Sequence, residues 1–363
     1  MPTAGAQVSA DLTEMLAYIK QVLGDNDDFT ARPFHVFGQT SAVLLYFSNM
    51  VEQLGVNENI LRPLMFKPTH WMDRDIPRHE LKNAILYDAL YHTEVQTESE
   101  LDKVVNGLVL GETVVIVDGL PIAFIIGTRN IPMRLIRQPD TEIIIRGPRD
   151  GFVEPIGTNL ALIRSRLQTK DLKVETMEIG QLTQTKVAIV FLGNVANPEL
   201  VQEVKHRLSQ IKVEAILDSG YIEQYIEDNH WSPFPQVQNT ERPDKVSANL
   251  LEGRVGVIVD GSSLALIVPT VFSQFYHTFE DYTERFLLMS AIRIVRLFAL
   301  VFSLIFPSIY VAIISFNPEL IPTEFVVAVA GGRAGVPFPA IVEVLIMEIS
   351  TEVLREATIR LPT

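Results

Sequence analysis

The chain of 363 residues contains no cysteine. Disulfide frameworks, thiolate zinc sites, iron–sulfur clusters and cysteine nucleophiles are therefore excluded, while the redox compartment stays undetermined. Basic residues are also scarce, since 30 Lys and Arg stand against 44 Asp and Glu and give a formal net charge of −14. Because no sustained basic run offsets this acidity, we expect no nucleic-acid partner.

The signatures of common catalytic and ligand sites are missing too. The seven histidines show no HExxH or other close ligand spacing, and GxSxG is absent. Asp25, Asp27 and Asp28 resemble half a calcium loop but lack its glycine and distal glutamate, so we interpret them as solvated or locally bonded. We expect no catalytic residue, no metal and no cofactor, and hence no enzyme.

One long run near the C-terminus has no charge at all. Residues 297–316 read LFALVFSLIFPSIYVAIISF. Twenty helical residues extend about 30 Å, the thickness of a bilayer's hydrocarbon core, so we predict a membrane span. A buried core helix of a soluble domain is the alternative. Because Arg285, Arg293 and Arg296 precede the run, the positive-inside bias predicts that its N-terminal side is cytosolic.

The part before this run contains an internal repeat. Residues 111–128 (GETVVIVDGLPIAFIIGT) align without gaps to residues 253–270 (GRVGVIVDGSSLALIVPT). Each copy predicts a β-hairpin around an Asp-Gly turn, at Asp118 and at Asp260, and a helical pattern precedes each copy. We assign these two carboxylates to turn geometry rather than to acid–base catalysis. The repeat favours two related subdomains, with chance similarity of two hairpins as the alternative.

Strands alternate with helices before the span, which predicts an α/β fold: two related mixed α/β subdomains in a cytosolic N-terminal domain, followed by membrane helices. We also predict a strand at residues 141–145 and a helix at residues 272–285. The expected regions are an N-terminal helix or tail (1–24), subdomain 1 (25–167), subdomain 2 (168–284) and a membrane region (285–363) with the span, a broken segment (321–339) and an amphipathic helix (340–361).

Three stretches of the sequence are distinctive enough to indicate a protein family. They are RGPRDGFVEPIGTNLALIRSRL (146–167), SPFPQVQNTERPDKVSANLLEGRVGVIVDG (232–261) and GGRAGVPFPAIVEVLIMEISTEVLREATIRLP (331–362). Together they resemble the signatures of the GerA-type family, which comprises the A subunits of bacterial spore germinant receptors and the related stage V sporulation protein AF. The resemblance runs from about residue 74 to the end of the chain.

This resemblance implies a protein of the spore inner membrane, embedded in lipid, with its N-terminal domain facing the cytosol or core. It implies a homo-oligomer that assembles with a transporter-like B subunit and a lipoprotein C subunit into a nutrient-gated ion channel. Family members continue past the equivalent of Leu361 and Pro362 into further membrane helices. We therefore expect this chain to be a fragment or the product of a truncated gene.

Two motifs of the soluble part are candidate subunit or subdomain contacts. The first is a Gly-rich turn with Arg146, Arg149 and Asp150 before a predicted helix at 155–167, where an anion cradle is the less favoured alternative. We interpret Arg164 and Arg166 of that helix as solvated, with contacts to acidic partners as the alternative. The second motif, with Glu241, Arg242 and Asp244, either starts a helix with local pairing or contacts another protomer.

The polar residues beyond the span are candidates for a pore or gate. Arg333 interrupts an apolar stretch and would be costly against lipid, so it requires a cavity or a carboxylate. We predict that Arg333, Glu343 and Glu348 line or gate an aqueous path in a ring of protomers, with an interfacial helix as the alternative. The favoured function is a germinant receptor A subunit. The alternatives are a stage V AF-like channel component and a membrane-tethered α/β enzyme or ligand-binding module.

Overall fold

The computed structural model describes residues 7–72, 75–130, 139, 142, 147–278, 281, 285–320, 322–335 and 337–360. Its contacts divide the chain into two compact units, unit 1 (Met1–Val271) and unit 2 (Phe272–Thr363). Of the strand predicted at 141–145, residue 142 is described and the others lie outside the described residues.

Unit 1 begins with a five-stranded antiparallel sheet. Its strands are β1 (Phe29–Val36), β2 (Thr40–Phe47), β3 (Val95–Glu98), β4 (Thr113–Val117) and β5 (Ala123–Ile126), in the order β1-β2-β4-β5-β3. The helices are α1 (Leu12–Leu23), α2 (Gln53–Val56), α3 (Arg62–Met65), α4 (Arg78–Asn83) and α5 (Leu101–Leu110), with π-helical turns at Asn57–Leu61 and Ala84–Ala89. Helices α1 and α5 pack on one face of the sheet, and the other helical segments pack on the opposite face.

The second half of unit 1 repeats this arrangement. Its helices are α6 (Ile156–Arg166), α7 (Pro198–Gln210), α8 (Ser219–Ile226) and α9 (Pro243–Leu251). Its strands are β6 (Leu172–Ile179), β7 (Thr185–Leu192), β8 (Gln238–Thr240), β9 (Val255–Val259) and β10 (Ala265–Val268), in the order β6-β7-β9-β10-β8. Here α6 and α9 cover one face, and α7 and α8 cover the other.

The two sheets have the same strand order and the same hairpin register. Ile116 pairs with Ala123 in the first hairpin, and Ile258 pairs with Ala265 in the second. The first strand of each hairpin, β4 or β9, is buried along its whole length. Their continuous β-branched runs predict this burial for a sheet that is covered on both faces. The predicted fold class, two related mixed α/β subdomains, is therefore confirmed.

The repeat begins earlier in the chain than the hairpins and includes the helix before the first strand. The core around α6 joins Phe152 and Leu160 to strands β6 and β7, so α6 packs in the second subdomain. The sequence instead predicts that the first subdomain extends to residue 167. Likewise α1, which the sequence assigns to a separate helix or tail, packs against the first sheet through Met15 and Ile19.

The described residues of unit 2 form helices and the turns between them. It contains α10 (Phe286–Phe316), α11 (Thr323–Arg333), α12 (Ala340–Arg360) and short 3₁₀ turns at Phe272–Phe275 and Pro318–Leu320. Of the helix predicted at 272–285, the 3₁₀ turn is described, whereas residues 279–280 and 282–284 lie outside the described residues. Helix α10 contains the predicted span, and its most apolar stretch of 18 residues has a mean hydropathy of 2.5. It is the one helix of the described residues that is long and apolar enough to cross a membrane.

Candidate functional site

A buried arginine joins the two subdomains of unit 1. Arg164 on α6 donates to both carboxylate oxygens of Asp28, through Nε at 2.5 Å and Nη2 at 2.6 Å. The two side chains are 4% and 3% exposed. The guanidinium also bonds the side chain of Asn26 and lies 4.0 Å from the ring centroid of Phe47. Arg164, interpreted as solvated, and Asp28, interpreted as solvated or locally bonded, instead form the polar core of the subdomain junction, so both interpretations are wrong.

The backbone reinforces this junction along the outer strand of the second sheet. Asp27 N–H donates to the carbonyl of Val174 in β6 at 3.0 Å, and Val174 N–H donates to the Asn26 side chain at 2.8 Å. The hydroxyl of Thr176 donates to the Asp27 carboxylate at 2.9 Å. The link between α1 and β1 therefore covers the edge strand β6, whose open hydrogen-bonding groups are otherwise a site for unwanted pairing.

Lys173 adds a charge to the same junction. Its ammonium donates to the carbonyl of Leu23 at the end of α1. Burial lowers the pKa of Lys173, and the nearby charge of Arg164 lowers it further against the opposing effect of Asp171 and Asp25. A side chain of the second sheet thus binds the C-terminal carbonyls of the first helix, where a cation also meets the negative end of the helix dipole.

The predicted contact motifs come together elsewhere, at the start of α9. Arg242 is 1% exposed and donates to Asp244 at 2.5 Å and to the carbonyl of Pro148 at 3.2 Å. The carbonyl of Glu241 accepts from Phe152 N–H at 2.7 Å. Residues 241–244 therefore hold the chain segment that leads from the first subdomain into α6.

The remaining predicted contact residues lie around this network. Asp150 pairs with Arg166, which overturns the interpretation of Arg166 as simply solvated. Arg149 is exposed, and Arg146 lies outside the described residues. Glu142, which the sequence analysis did not single out, accepts from Thr240 and from Lys245.

The two repeated aspartates bind the first helix of their own subdomain. Asp260 accepts from the N–H of Ile156 at 3.0 Å, and Asp118 accepts from the N–H of Leu12 at 3.5 Å. The adjacent Gly119 and Gly261 have φ of 81° and 84°, as the predicted Asp-Gly turns require. Because Asp260 holds the N-terminus of α6, the considered anion cradle is filled by a carboxylate of the chain itself.

In unit 2, a carboxylate binds the arginines at the start of the apolar helix. The side chain of Asp281 has no exposed surface and accepts from Arg296 at 3.0 Å and from Thr278 N–H at 3.1 Å. Arg293 lies 3.7 Å away. Burial by itself would raise the pKa of Asp281, but the hydrogen bonds and the two arginine charges outweigh it and lower that pKa below its usual value.

The predicted pore residues are brought together in part. Arg333 at the end of α11 lies 3.4 Å from the carboxylate of Glu343 on α12, and their side chains are 24% and 32% exposed. Glu348 is exposed on α12. Five residues rotate a helix by about 140°, so Glu348 and Glu343 face different sides of α12.

No group of three or more His, Asp or Glu able to hold a metal ion occurs among the residues that the structure describes.

Comparison with known proteins identifies the family. The family described as Bacillus/Clostridium GerA spore germination protein matches residues 17–363. The chain belongs to the GerA family. This confirms the resemblance drawn from the three motifs.

Curated relatives of this GerA chain are spore germination proteins. Spore germination protein KA of Bacillus subtilis (strain 168) is 38% identical over 357 residues, which cover 98% of this chain and 64% of that protein. Spore germination protein B1 of the same organism is 34% identical, with 98% of this chain and 72% of the relative covered. The GerA chain described here therefore spans about two thirds of the length of these relatives. Neither name is that of an enzyme.

A solved structure matches the first unit. The N-terminal domain of the A subunit of the Bacillus megaterium spore germinant receptor GerK3 is 32% identical, with a TM-score of 0.58. The match covers 74% of this GerA chain and 99% of the solved chain. The matched fraction of this chain is close to the fraction that unit 1 (Met1–Val271) occupies, and the solved chain is an N-terminal domain. The solved domain therefore corresponds to the double α/β unit.

Proposed function

We propose that this chain is the A subunit of a bacterial spore germinant receptor, which oligomerises in the spore inner membrane and gates the release of ions during germination. One combination carries the proposal. A double α/β unit similar to the N-terminal domain of a germinant receptor A subunit is joined, in one chain, to a helix with the length and hydropathy of a membrane span. In this role the protein acts by assembly and conformational change rather than by chemistry on a substrate.

Location and partners follow from the same reasoning. The arginines that precede the apolar core of α10 favour a cytosolic or core-facing position for unit 1. The family resemblance adds a transporter-like B subunit and a lipoprotein C subunit as partners. The exposed apolar side chains of α11 and α12 support contacts with lipid or with other protomers, because such surfaces are unfavourable in water.

Within the membrane region we assign two roles to the predicted pore residues. Arg333 and Glu343 neutralise each other inside one protomer, so the arginine is tolerated at membrane depth. Glu348 faces away from this pair and contributes a carboxylate to a ring formed by several protomers, as in cation-conducting pores. The opening of the ring then changes with the packing of α12 against α10.

Charge reversal at Glu348 tests this proposal. Spores that carry Glu348→Lys should lose most of the germinant-triggered ion release, by at least about tenfold, because a ring of positive charge opposes cation passage. The amount of protein in the inner-membrane fraction should stay unchanged. Glu319→Lys is the matched control, since Glu319 is an exposed acid of the short turn before α11. Normal ion release from Glu348→Lys spores would contradict the pore role.

A further inference from the structure

The duplication of unit 1 gives each residue at the subdomain junction a counterpart in the other subdomain. Strand β1 pairs with β2 in the same register as β6 pairs with β7, so Ala31 corresponds to Val174. The carbonyls of Asp28 and Asp171 each accept from the N–H of the residue that follows the second strand of their own sheet, so these two residues also correspond. The residues that form the junction therefore have an equivalent set elsewhere on the same unit.

The junction joins two unlike surfaces. The first subdomain contributes the segment that precedes its edge strand, with Asn26, Asp27 and Asp28. The second subdomain contributes its edge strand β6 and the helix residue Arg164. A contact between unlike surfaces leaves one copy of each surface unused, and repeated use of both produces a heterologous assembly.

The unused counterparts are an edge surface on the first subdomain and a lead surface on the second. The edge surface consists of Lys20 and residues 30–33, and the lead surface consists of residues 167–171. Lys20 and Pro33 of the edge surface are exposed, and so is Lys170 of the lead surface. Both surfaces therefore keep exposed side chains in the folded chain and are accessible to a partner.

The two unused surfaces carry the same opposite charges as the junction. Lys20 of the edge surface corresponds to Arg164, because α1 and α6 have the same register relative to the repeated aspartates. Asp171 of the lead surface corresponds to Asp28, the partner of Arg164. A lysine binds a carboxylate as a point charge rather than as a two-point fork, so a pair of Lys20 and Asp171 is weaker than the internal pair. This weaker pairing is compatible with a contact between separately folded chains.

The backbone groups at the two strand edges match as well. In the junction, Val174 N–H donates to the Asn26 side chain at 2.8 Å, and the Val174 carbonyl accepts from Asp27 N–H at 3.0 Å. Ala31 directs the same two backbone groups to the open side of β1, because its strand has the same register. In the lead surface, the hydroxyl of Thr169 takes the place of the Asn26 side-chain oxygen as an acceptor.

Two departures from the junction compensate each other. Thr176 N–H in β6 donates to the Asp27 carboxylate. The counterpart of Thr176 in β1 is Pro33, which has no N–H to donate. The counterpart of Asp27 is Lys170, which has no carboxylate but keeps its backbone N–H. The acceptor is thus missing where the donor is missing, as expected if the two surfaces meet.

We propose that the lead surface of one copy of this chain binds the edge surface of a second copy, so that the copies assemble head to tail. Asp171 of one copy pairs with Lys20 of the next, and Lys170 N–H donates to the Ala31 carbonyl beside that pair. This contact rests on the oligomerisation proposed above and supplies the surfaces through which unit 1 takes part in it. Because each copy carries both surfaces, the same contact adds further copies, and a ring results where the rotation between copies closes.

The absence of cysteine from the chain allows the contact to be tested by crosslinking. The full chain with Lys20→Cys/Asp171→Cys is treated in detergent micelles with a short bismaleimide and separated on a denaturing gel. We expect a ladder of dimers, trimers and larger products, because each copy uses both cysteines. The single variants Lys20→Cys and Asp171→Cys are the controls and should remain monomeric, since neither surface meets its own copy. Products no larger than dimers from the double variant would overturn the head-to-tail arrangement.

A charge exchange tests the ion pair itself. Lys20→Glu places two carboxylates together, so the association constant of the full chain in detergent should fall at least about tenfold in sedimentation analysis. Lys20→Glu/Asp171→Lys restores opposite charges and should return the association constant to within about threefold of the wild type, which a merely misfolded variant would not do. Lys212→Glu changes an exposed lysine of the second subdomain outside both surfaces and should leave association unchanged.

The results separate this contact from the proposed oligomerisation. If the wild-type chain is oligomeric but Lys20→Glu associates normally, the contact is wrong and the oligomerisation stands. If the wild-type chain remains a monomer up to about 100 µM, both are wrong. If the exchanged variant does not recover, Lys20 has a different partner and the contact is again overturned.

Discussion

The two units of this chain bury their apolar side chains in opposite ways. In unit 1, both faces of each sheet are covered by the unit's own helices, and four hydrophobic clusters result. In unit 2, only Met289 and Ala340 of the described hydrophobic residues are buried. Side chains such as Leu304 and Val327 are 70% and 67% exposed. Unit 1 therefore has a complete core of its own, whereas the helices of unit 2 require lipid or other chains around them.

The ion pairs of the two units differ in the same way. Arg164 donates a hydrogen bond to each carboxylate oxygen of Asp28, and both side chains are buried away from water. The pair of Arg333 and Glu343 is longer, at 3.4 Å, and keeps a quarter to a third of its surface exposed. A buried ion pair holds its two elements in one arrangement, because removal of one partner leaves the other charge buried without compensation. A partly exposed pair costs less free energy to break, which is compatible with the change in packing that the proposed gating requires.

The largest effect should follow from loss of the subdomain junction. Arg164→Ala removes the partner of a buried carboxylate and should lower the free energy of unfolding of unit 1 by about 3–5 kcal/mol. Denaturant unfolding of the full chain in detergent, followed by far-UV circular dichroism, measures this change. Arg149→Ala, which removes an exposed arginine near the same helix, is the control and should change stability by less than about 0.5 kcal/mol. A loss below about 1 kcal/mol for Arg164→Ala would show that the backbone pairing with β6 suffices.

The junction also shows where sequence reasoning ends. The hairpins and the apolar helix follow from local periodicity and turn residues, and they appear where the sequence predicts them. The pair of Asp28 and Arg164 joins residues that are 136 positions apart, and no local pattern encodes such a partner. One signal was present. The stretch around Arg164 has no continuous polar face, and residues 158–164 are all buried, so a charge within it needed a buried partner.

The same limit applies to the candidate pore. The polar spacing of residues 340–361 predicts a helix, and α12 extends over Ala340–Arg360. The grouping of Arg333, Glu343 and Glu348 around a pore stays a prediction, and the spacing of five residues places the two glutamates on different sides of α12. The capping role of Asp260 was also missed, because it depends on how α6 approaches a hairpin 104 residues later. In each case the residue type was informative, and the tertiary partner decided its role.

A second, smaller effect is expected at the start of the apolar helix. Asp281→Asn removes the charge that accepts from Arg296 and Thr278, and should destabilise this cluster by about 1.5–3 kcal/mol near neutral pH. The pKa of Asp281 is lowered in the folded chain from a reference value of 3.8. Its stabilising contribution is therefore complete above about pH 4 and is lost as pH falls through the lowered pKa.

Hydrogen exchange of residues 286–296 measures this effect. In the wild type, protection should fall as the pH decreases below about 4, after correction for the intrinsic exchange rate. In Asp281→Asn, protection should be low already at neutral pH and should lack this acid transition. An unchanged acid transition in the variant would mean that another carboxyl group controls the start of α10.

The repeated aspartates allow a comparison inside unit 1. Asp260→Ala should lower the free energy of unfolding by about 1 kcal/mol, because Pro155 before α6 provides no side-chain cap of its own. Asp118→Ala should lower it by only about 0.3 kcal/mol, since Asp11 already caps α1 by accepting from Thr13 N–H at 2.8 Å. Denaturant midpoints of the two variants measure the difference. Equal losses would show that the turns, rather than the helix caps, need the carboxylates.

The smallest effect is expected for the pair in unit 2, and it returns to the contrast between the units. Arg333→Ala removes an ion pair that is partly exposed to water. In detergent the free energy of unfolding of unit 2 should therefore fall by about 0.5 kcal/mol, close to the value for an exposed pair. Glu343→Gln should lower the free energy of unfolding by a similar amount. The double variant Arg333→Ala/Glu343→Gln should lower it little further, because both substitutions remove the same interaction. Thermal unfolding of unit 2, followed by a fluorescent label on α12, measures these values. If Arg333→Ala instead cost as much as Arg164→Ala, the pair would have to be dry in the assembled protein, which means that other protomers cover it. Unit 2 would then be fixed by its polar contacts in the same way as the subdomain junction, and the proposed gating would have to come from a different part of the proposed ring.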